Sequence, residues 1–304
     1  MPLLREAIAL ETDMQKIITI GTTFFSWIII ALVILSNTTG VLAAQGERPI
    51  DVIEDNSFLI EEAYNQEPGV VQHVFTAQYN NDSRRRGWEF NFTQEWPILS
   101  QDHQFSYTIP SYHLVENGDR QHGIGDISLS YRYQLLEEGD IQPAFAPRFS
   151  LILPSGSRRR GTGDGVVGYE WQLPVSKKAT GRLGLHANFG LTYLPNARAA
   201  LGNGGGLSSK HSLVSYNIGA SAVYAVFPRL HFMMEWLGNF EESIDDNGKA
   251  ERSFKPVLSP GLRAAIVNQP KLQIVTGAAA PIGLNRKAEN YGVFLYFSVE
   301  HELF

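Results

Sequence analysis

The chain has 304 residues, a formal net charge of −6, 43% hydrophobic and 11% aromatic residues, and no cysteine. The lack of cysteine excludes a disulfide scaffold, and the acidic balance argues against a nucleic-acid partner. Its 28 glycines and its aromatic residues are spread along the chain, not gathered into a low-complexity tract, which points to many strands and turns.

The first element is a charge-free apolar run over 17–44, with Phe24, Phe25, Trp27, Ile28, Leu32 and Ile34 at its centre, Lys16 before it and Val41-Leu42-Ala43-Ala44 at its end. Basic, apolar and small residues in that order read as a secretory signal peptide over 1–44, cleaved after Ala43 or Ala44. Met14 is a candidate start, because the residues before it include acids that suit a signal poorly. A retained anchor is the alternative, since the run is long enough to span a bilayer. Residues 45–68 then form an acidic segment, with Glu47, Asp51, Glu54, Asp55, Glu61, Glu62 and Glu67 around Phe58, Leu59, Ile60 and Tyr64. Ser57 is placed to cap a short helix there. Two placements are open for the segment, a loose periplasmic tail or a plug under or inside the strand-rich domain after it.

After Pro68 the period becomes two. In 87–97, Trp88, Phe90, Phe92 and Trp96 share one face while Glu89, Asn91, Thr93 and Glu95 share the other. In 126–135, Ile127, Leu129, Tyr131, Tyr133 and Leu135 alternate with Asp126, Ser128, Ser130, Arg132 and Gln134. A helix would mix these sets, whereas a strand separates them. Similar runs cover 70–79, 104–113, 141–153, 166–176, 182–194, 214–227, 230–241, 254–267, 272–282 and 291–304. That makes about twelve strands, each of about ten to fourteen residues. A tilted strand needs ~9–11 to cross a bilayer, and strands of soluble sandwiches are shorter.

Polar connections at 80–86, 115–122, 154–163, 195–211, 242–253 and 285–290 alternate with tight ones near 136–140, 177–181, 228–229 and 268–271. Long outer loops and short periplasmic turns are the rhythm of a bacterial outer-membrane barrel, and they put both termini in the periplasm. The connection 97–103 is long for a periplasmic turn. The last strand needs the first as its partner, since an open edge is not tolerated in lipid. Its final Phe304 resembles the signal by which such barrels are recognised for insertion, which implies the barrel-assembly machinery as a partner. Strict alternation, however, gives Phe304 the inward parity of Phe294, Tyr296, Ser298, Glu300 and Glu302 unless a bulge intervenes.

At Gly123-Ile124-Gly125-Asp126-Ile127, and again at Leu153-Pro154-Ser155-Gly156-Ser157 before Gly161-Thr162-Gly163, the chain resembles the outer-membrane proteins grouped under the meta-pathway of phenol degradation, a family assigned a transport role. The acidic stretch 56–67 is similar to one seen in some relatives. The resemblance implies a small barrel in the outer membrane that carries aromatic or other hydrophobic compounds.

With the aromatic face toward lipid, the lumen is expected to be lined by Glu89, Asn91, Glu95, Asp126, Arg132, Gln134, Arg148, Glu170, Gln172, His186, Asn188, Glu235 and Arg263. Acids and bases together fix no ion selectivity, and their mutual pairing would fill a narrow or plugged pore. Arg84-Arg85-Arg86 and Arg158-Arg159-Arg160 fall on predicted outer loops, where guanidinium groups suit lipopolysaccharide phosphates or an anionic solute, and a solvated loop tip is the plain alternative. His73, His113, His186, His231 and His301 are scattered over different strands without a serine-elbow pattern, and no metal-ligand spacing appears, so no catalytic, cofactor or metal residue is assigned. The glycine-rich run 202–206 has no helix pattern after it and reads as a loop.

The reading is therefore all-β: a transmembrane antiparallel up-and-down β-barrel of about twelve strands over 69–304, behind a signal peptide (1–44) and an acidic periplasmic segment (45–68). Its expected role is an outer-membrane channel or transporter for small solutes, in contact with outer-membrane lipids and lipopolysaccharide. A lipid-processing barrel enzyme, or an adhesive barrel binding through its outer loops, remains the alternative.

Overall fold

The computed structural model describes residues 55–81, 85–116, 119–198, 209–245, 247–288 and 291–303. The signal-peptide reading, Met14, Arg84, the 202–206 run and Phe304 lie outside them. Twelve strands follow one another around a closed antiparallel sheet. They are β1 (Val70–Asn81), β2 (Arg85–Ile98), β3 (Ser100–Glu116), β4 (Asp119–Ile124 and Ile127–Tyr133), β5 (Ala144–Phe145 and Arg148–Leu153), β6 (Gly168–Thr180), β7 (Leu183–Ala197), β8 (His211–Phe227), β9 (Leu230–Ile244), β10 (Ala250–Gln269), β11 (Leu272–Ala279 and Ile282–Gly283) and β12 (Tyr291–Glu302). Closure is made by β12 against β1, in an unbroken ladder from Val70↔Glu302 to Asn81↔Tyr291. No bulge interrupts the last strand.

Proline explains two of the three interrupted strands. It cannot donate to a ladder, and β5 breaks at Ala146-Pro147 while β11 breaks at Ala280-Pro281. At the second break the ladder resumes at once, because Gly292 N–H donates to the Pro281 carbonyl at 2.7 Å.

Alternation holds all round. Phe75, Phe90, Trp171, Phe189 and Phe297 stand on the outer face, about two-fifths exposed, whereas Gln72, Ser150, Ser221 and Ser298 on the inner face are buried. On β12, Val293, Leu295 and Phe297 point out while Phe294, Tyr296 and Ser298 point in. A soluble protein does the reverse, so the aromatic outer face needs lipid. Among the described residues no helix is long and apolar enough to cross a membrane, and the one helical element is a 3-10 turn at Arg158–Arg160.

Several connections differ from their sequence reading. The 97–103 connection is no loop: Leu99 alone, at φ 63° and fully exposed, turns β2 into β3, and Ile98 pairs with Ser100. At the opposite end, 115–116, 119–122, 242–244 and 250–253 are strand, with Val115↔Arg120 and Ser243↔Glu251 still in ladder. Ile141, read as the start of a strand, is exposed in the β4–β5 connection.

Candidate functional site

The inner wall near the short-turn end is filled by residues 55–67. They form no helix, contrary to the expectation from Ser57. A helix start leaves its first N–H groups without partners. Here the Phe58, Leu59 and Ile60 N–H groups all donate to one oxygen, Glu235 Oε1 on β9, at 3.1, 3.0 and 3.3 Å. Ser57 Oγ instead donates to Glu62 Oε1 at 2.6 Å, which folds the segment back on itself.

Two apolar side chains seat this segment in dents of the wall. Phe58 packs among Val74, Val275, Phe294 and Tyr296, with ring centroids 5.3 Å from each of the last two. Glycine makes the room: a Cβ on Gly277 would lie 2.3 Å from Phe58 Cζ, and one on Gly261 would lie 2.9 Å from Phe58 Cε2. Likewise a Cβ on Gly219 would lie 2.2 Å from Ile60 Cδ1.

The charged groups close around the same segment. Arg132 on β4 is buried and donates through Nε to Asn65 Oδ1 at 2.8 Å and through Nη1 to Glu61 Oε1 and the Glu62 carbonyl, each at 3.1 Å. Its other Nη binds the Tyr64 carbonyl. Arg148 on β5 bridges Glu61 at 2.8 Å and Glu170 at 2.9 Å. Arg263 on β10 donates to the Asp55 and Asn56 carbonyls at 2.6 and 2.8 Å. The Asp55 carboxylate accepts from Gln72 Nε2 and Tyr296 Oη, both at 2.6 Å, and from Ser298 Oγ at 2.9 Å. Glu95 accepts from Gln104 at 2.7 Å, and Gln104 in turn accepts from the Gln66 N–H at 2.8 Å.

The expected lumen residues Glu95, Arg132, Arg148, Glu170, His186, Glu235 and Arg263 are thus gathered in one place, and Gln134 joins them through the Ala63 carbonyl at 2.9 Å. Their partners are not chiefly one another. The bases meet Glu61, Glu62 and backbone carbonyls of the N-terminal segment; within the wall, Arg148–Glu170 is the short pair, while Arg132 and Glu95 are 3.9 Å apart. Glu89 and Asn91 lie on the inner face further from this segment, 3.3 Å from one another, with Asn91 also 3.4 Å from Thr76 Oγ1. Gln172 and Asn188 are tied together at 2.7 Å.

Asp126 meets backbone groups of a loop. It sits in the break of β4 and accepts from the Gly156 and Asp164 N–H groups at 2.8 and 2.7 Å, so it braces the 154–165 loop instead of facing an ionic partner. Ser155 Oγ donates to the Gly125 carbonyl at 2.9 Å. The two sequence motifs that carry the resemblance therefore touch, and Gly163 is needed there because a Cβ would lie 2.3 Å from Asp126 Oδ1. Of the arginine runs, Arg158 is engaged with the Asp164 and Gly165 carbonyls at 3.0 and 2.8 Å. Arg86, Arg159 and Arg160 are exposed.

One trio has the form of a catalytic set. Ser176 Oγ lies 2.8 Å from His186 Nδ1, and His186 Nε2 lies 3.7 Å from Glu62. Ser176 is wholly buried and accepts from the Ala63 N–H at 2.8 Å, and the acid belongs to the inserted segment. The trio thus ties the segment to β6 and β7 through Ala63 and Glu62.

At the edge of the site Tyr64 Oη donates to Glu138 Oε2 at 2.7 Å, and Lys177 Nζ and the Lys178 N–H donate to Glu138 Oε1 at 2.9 and 2.8 Å. Burial pushes the Glu138 carboxyl up, but the Tyr64 hydroxyl and the two lysine donors outweigh it and hold the group below its ordinary value. A depressed carboxyl favours docking fully above the ordinary glutamate pKa and loses that contribution as pH falls through the docked value. Acidification below about pH 4 is therefore expected to loosen Tyr64, seen as faster protease cleavage within 55–67, and Glu138→Gln is expected to flatten that acid-induced rise.

The barrel has a solved counterpart. An outer-membrane channel from Pseudomonas putida F1 superposes with a TM-score of 0.61 at 13% identity, over 78% of this chain and 97% of that one. The fold is that of a bacterial outer-membrane β-barrel. Two more distant likenesses are the NanC porin, at 13% identity over 76% of this chain and 100% of that one with a TM-score of 0.47, and the transport unit of the autotransporter AIDA-I from Escherichia coli, at 9% identity over 81% and 94% with a TM-score of 0.46. No protein-family model and no curated protein sequence matches the chain.

The signal for the plug is partly present in the sequence: a cluster of acids before the first strand and a set of inward bases on β4, β5 and β10. Sequence reasoning misses Gln72, Gln104, Ser176, Tyr296 and Ser298, because a polar residue on an inward face carries no mark of what it meets.

Proposed function

We propose that this chain is a bacterial outer-membrane channel or transporter for small solutes, closed at its short-turn end by its own residues 55–67 and opened when that segment withdraws. The observation that carries this reading is the burial of Arg132, Glu235 and Arg263, whose side chains would line an open pore but instead hold the segment. The opposite half of the lumen is lined by Thr76, Glu89, Asn91 and Asn217, half-exposed polar groups that suit a small polar solute. The resemblance to the phenol meta-pathway family extends the range to aromatic and other hydrophobic solutes.

In this reading residues 1–44 are a secretory signal, residues 45–68 are an acidic periplasmic segment of which 55–67 closes the barrel, and both termini are periplasmic. Arg86, Arg159 and Arg160 at the outer rim face lipopolysaccharide phosphates, and the last strand is the part read by the assembly machinery. The test is solute uptake by proteoliposomes holding the purified barrel, across a panel of sugars, amino acids, phenols and fatty acids. Uptake of at least one class above empty liposomes, increased by deleting 55–66, is expected. No uptake of any class by either protein would end the transport reading.

A further inference from the structure

The closing seam carries a histidine pair that the lumen does not use. His73 on β1 and His301 on β12 stand on the outer face, diagonally across the seam, with His73 opposite Val299 and His301 opposite Val71. Their Nε2 atoms are 3.2 Å apart, and their rings lie 16° from parallel with centroids 5.3 Å apart. His301 Nδ1 is 3.2 Å from the Glu302 carbonyl oxygen. A carbonyl only accepts, so neutral His301 carries its proton on Nδ1 and presents a bare Nε2 lone pair, the tautomer a metal requires. On the other side Phe92 stacks against His73 at 6.3 Å and 13°, which restrains that ring.

The pair also sits where ions can reach it. Gln94, opposite His73, accepts from Tyr107 Oη at 2.8 Å, and Trp96 lies beside Tyr107 with ring centroids 5.4 Å apart and tilted by 47°. Polar-tipped aromatic residues at one end of the outer face mark the boundary between lipid and water. The rim charges nearby, Lys271 and Glu302, are paired with each other at 2.9 Å.

We infer that His73 and His301 form a two-histidine site for a divalent transition metal, zinc, nickel or copper, that staples the first strand to the last. Tetrahedral zinc holds imidazole nitrogens at about 2.0–2.1 Å, which sets two of them about 3.3 Å apart. The separation found here is 3.2 Å, close to that span; without an ion His73 Nε2–H donates to His301 Nε2 across it, and a bound ion takes the place of that proton, leaving His73 protonated on Nδ1. Among the described residues no cluster of three or more histidine, cysteine or acidic side chains is suited to a metal, so water completes the coordination and the ion exchanges freely. Imidazole ligands place copper above nickel and zinc in affinity.

The experiment uses the full barrel in detergent, made without a polyhistidine tag. Cu2+ is titrated and followed by electron paramagnetic resonance, and Zn2+ is added while the temperature at which the folded band converts to the unfolded band on gels is recorded. His113→Gln/His122→Gln is the control, since those two histidines are also cross-strand partners, with rings 6.1 Å apart and tilted by 30°. One copper per barrel with hyperfine coupling from two nitrogens is expected in the wild type and in the control, and its loss in His73→Gln and in His301→Gln. Zinc is expected to raise the conversion temperature of the wild type, a readout that needs no variant. A two-nitrogen signal that survives in His73→Gln/His301→Gln, its absence from the wild type, or its loss in the control alone would each overturn the assignment, as would a conversion temperature that zinc leaves unmoved.

Discussion

Gly277→Val is expected to unseat the N-terminal segment and open the pore. The new side chain would occupy the space of the Phe58 ring, whose Cζ lies 2.3 Å from the position of the first added carbon. Overpacking of this kind costs about 1–3 kcal/mol, a shift of about 5- to 150-fold between docked and withdrawn states. Single-channel recording should show a corresponding rise in open probability. The same carbon would lie 2.9 Å from the Leu262 carbonyl oxygen, so a part of the cost falls on the wall itself. Phe58→Ala separates the two: in Gly277→Val/Phe58→Ala the segment regains room, and the open probability should move back toward that of Phe58→Ala alone. A Gly277→Val channel no more open than the wild type would mean that Phe58 does not hold the segment in place.

Arg132→Met has the second large effect expected. Its guanidinium satisfies Glu61, Asn65 and the carbonyls of Glu62 and Tyr64 together, and it is almost wholly buried. Removing one partner of a buried pair leaves the others unsatisfied and costs about 3–5 kcal/mol. The loss should appear as increased conductance and as protease cleavage within 55–67, with the barrel itself still heat-modifiable. Glu61→Gln in the same background should cost much less than it does alone, since its arginine partner is already gone, although Arg148 still holds Glu61 at 2.8 Å.

The fold is legible in the sequence where chemistry is local. Trp88, Phe90 and Phe92 against Glu89, Asn91 and Thr93 sort into two faces from parity alone, because a strand alternates strictly. Leu99 gives no sign of a turn. Leucine has no preference for positive φ, and the residues around it look like the middle of a loop. The segment 55–67 is illegible for a different reason. Three of its N–H groups are satisfied by Glu235, more than 170 positions away, so nothing nearby in the sequence replaces the helical bonds a capping serine suggests. Asp126 keeps the parity of a lumen residue, yet a glycine-rich loop folds back to claim both of its oxygens.

Whether residues 55–67 must leave the lumen for solute to pass can be measured directly. Ser57 Oγ on that segment lies 3.3 Å from Ser221 Oγ on β8, and the chain has no cysteine of its own. Ser57→Cys/Ser221→Cys therefore carries just two thiols, close enough for a disulfide with small adjustments. Uptake into proteoliposomes should fall to the level of empty liposomes when the pair is oxidised and return to the wild-type rate on reduction. Oxidised, cross-linked barrels that take up solute as fast as reduced ones would contradict a gating role for the segment.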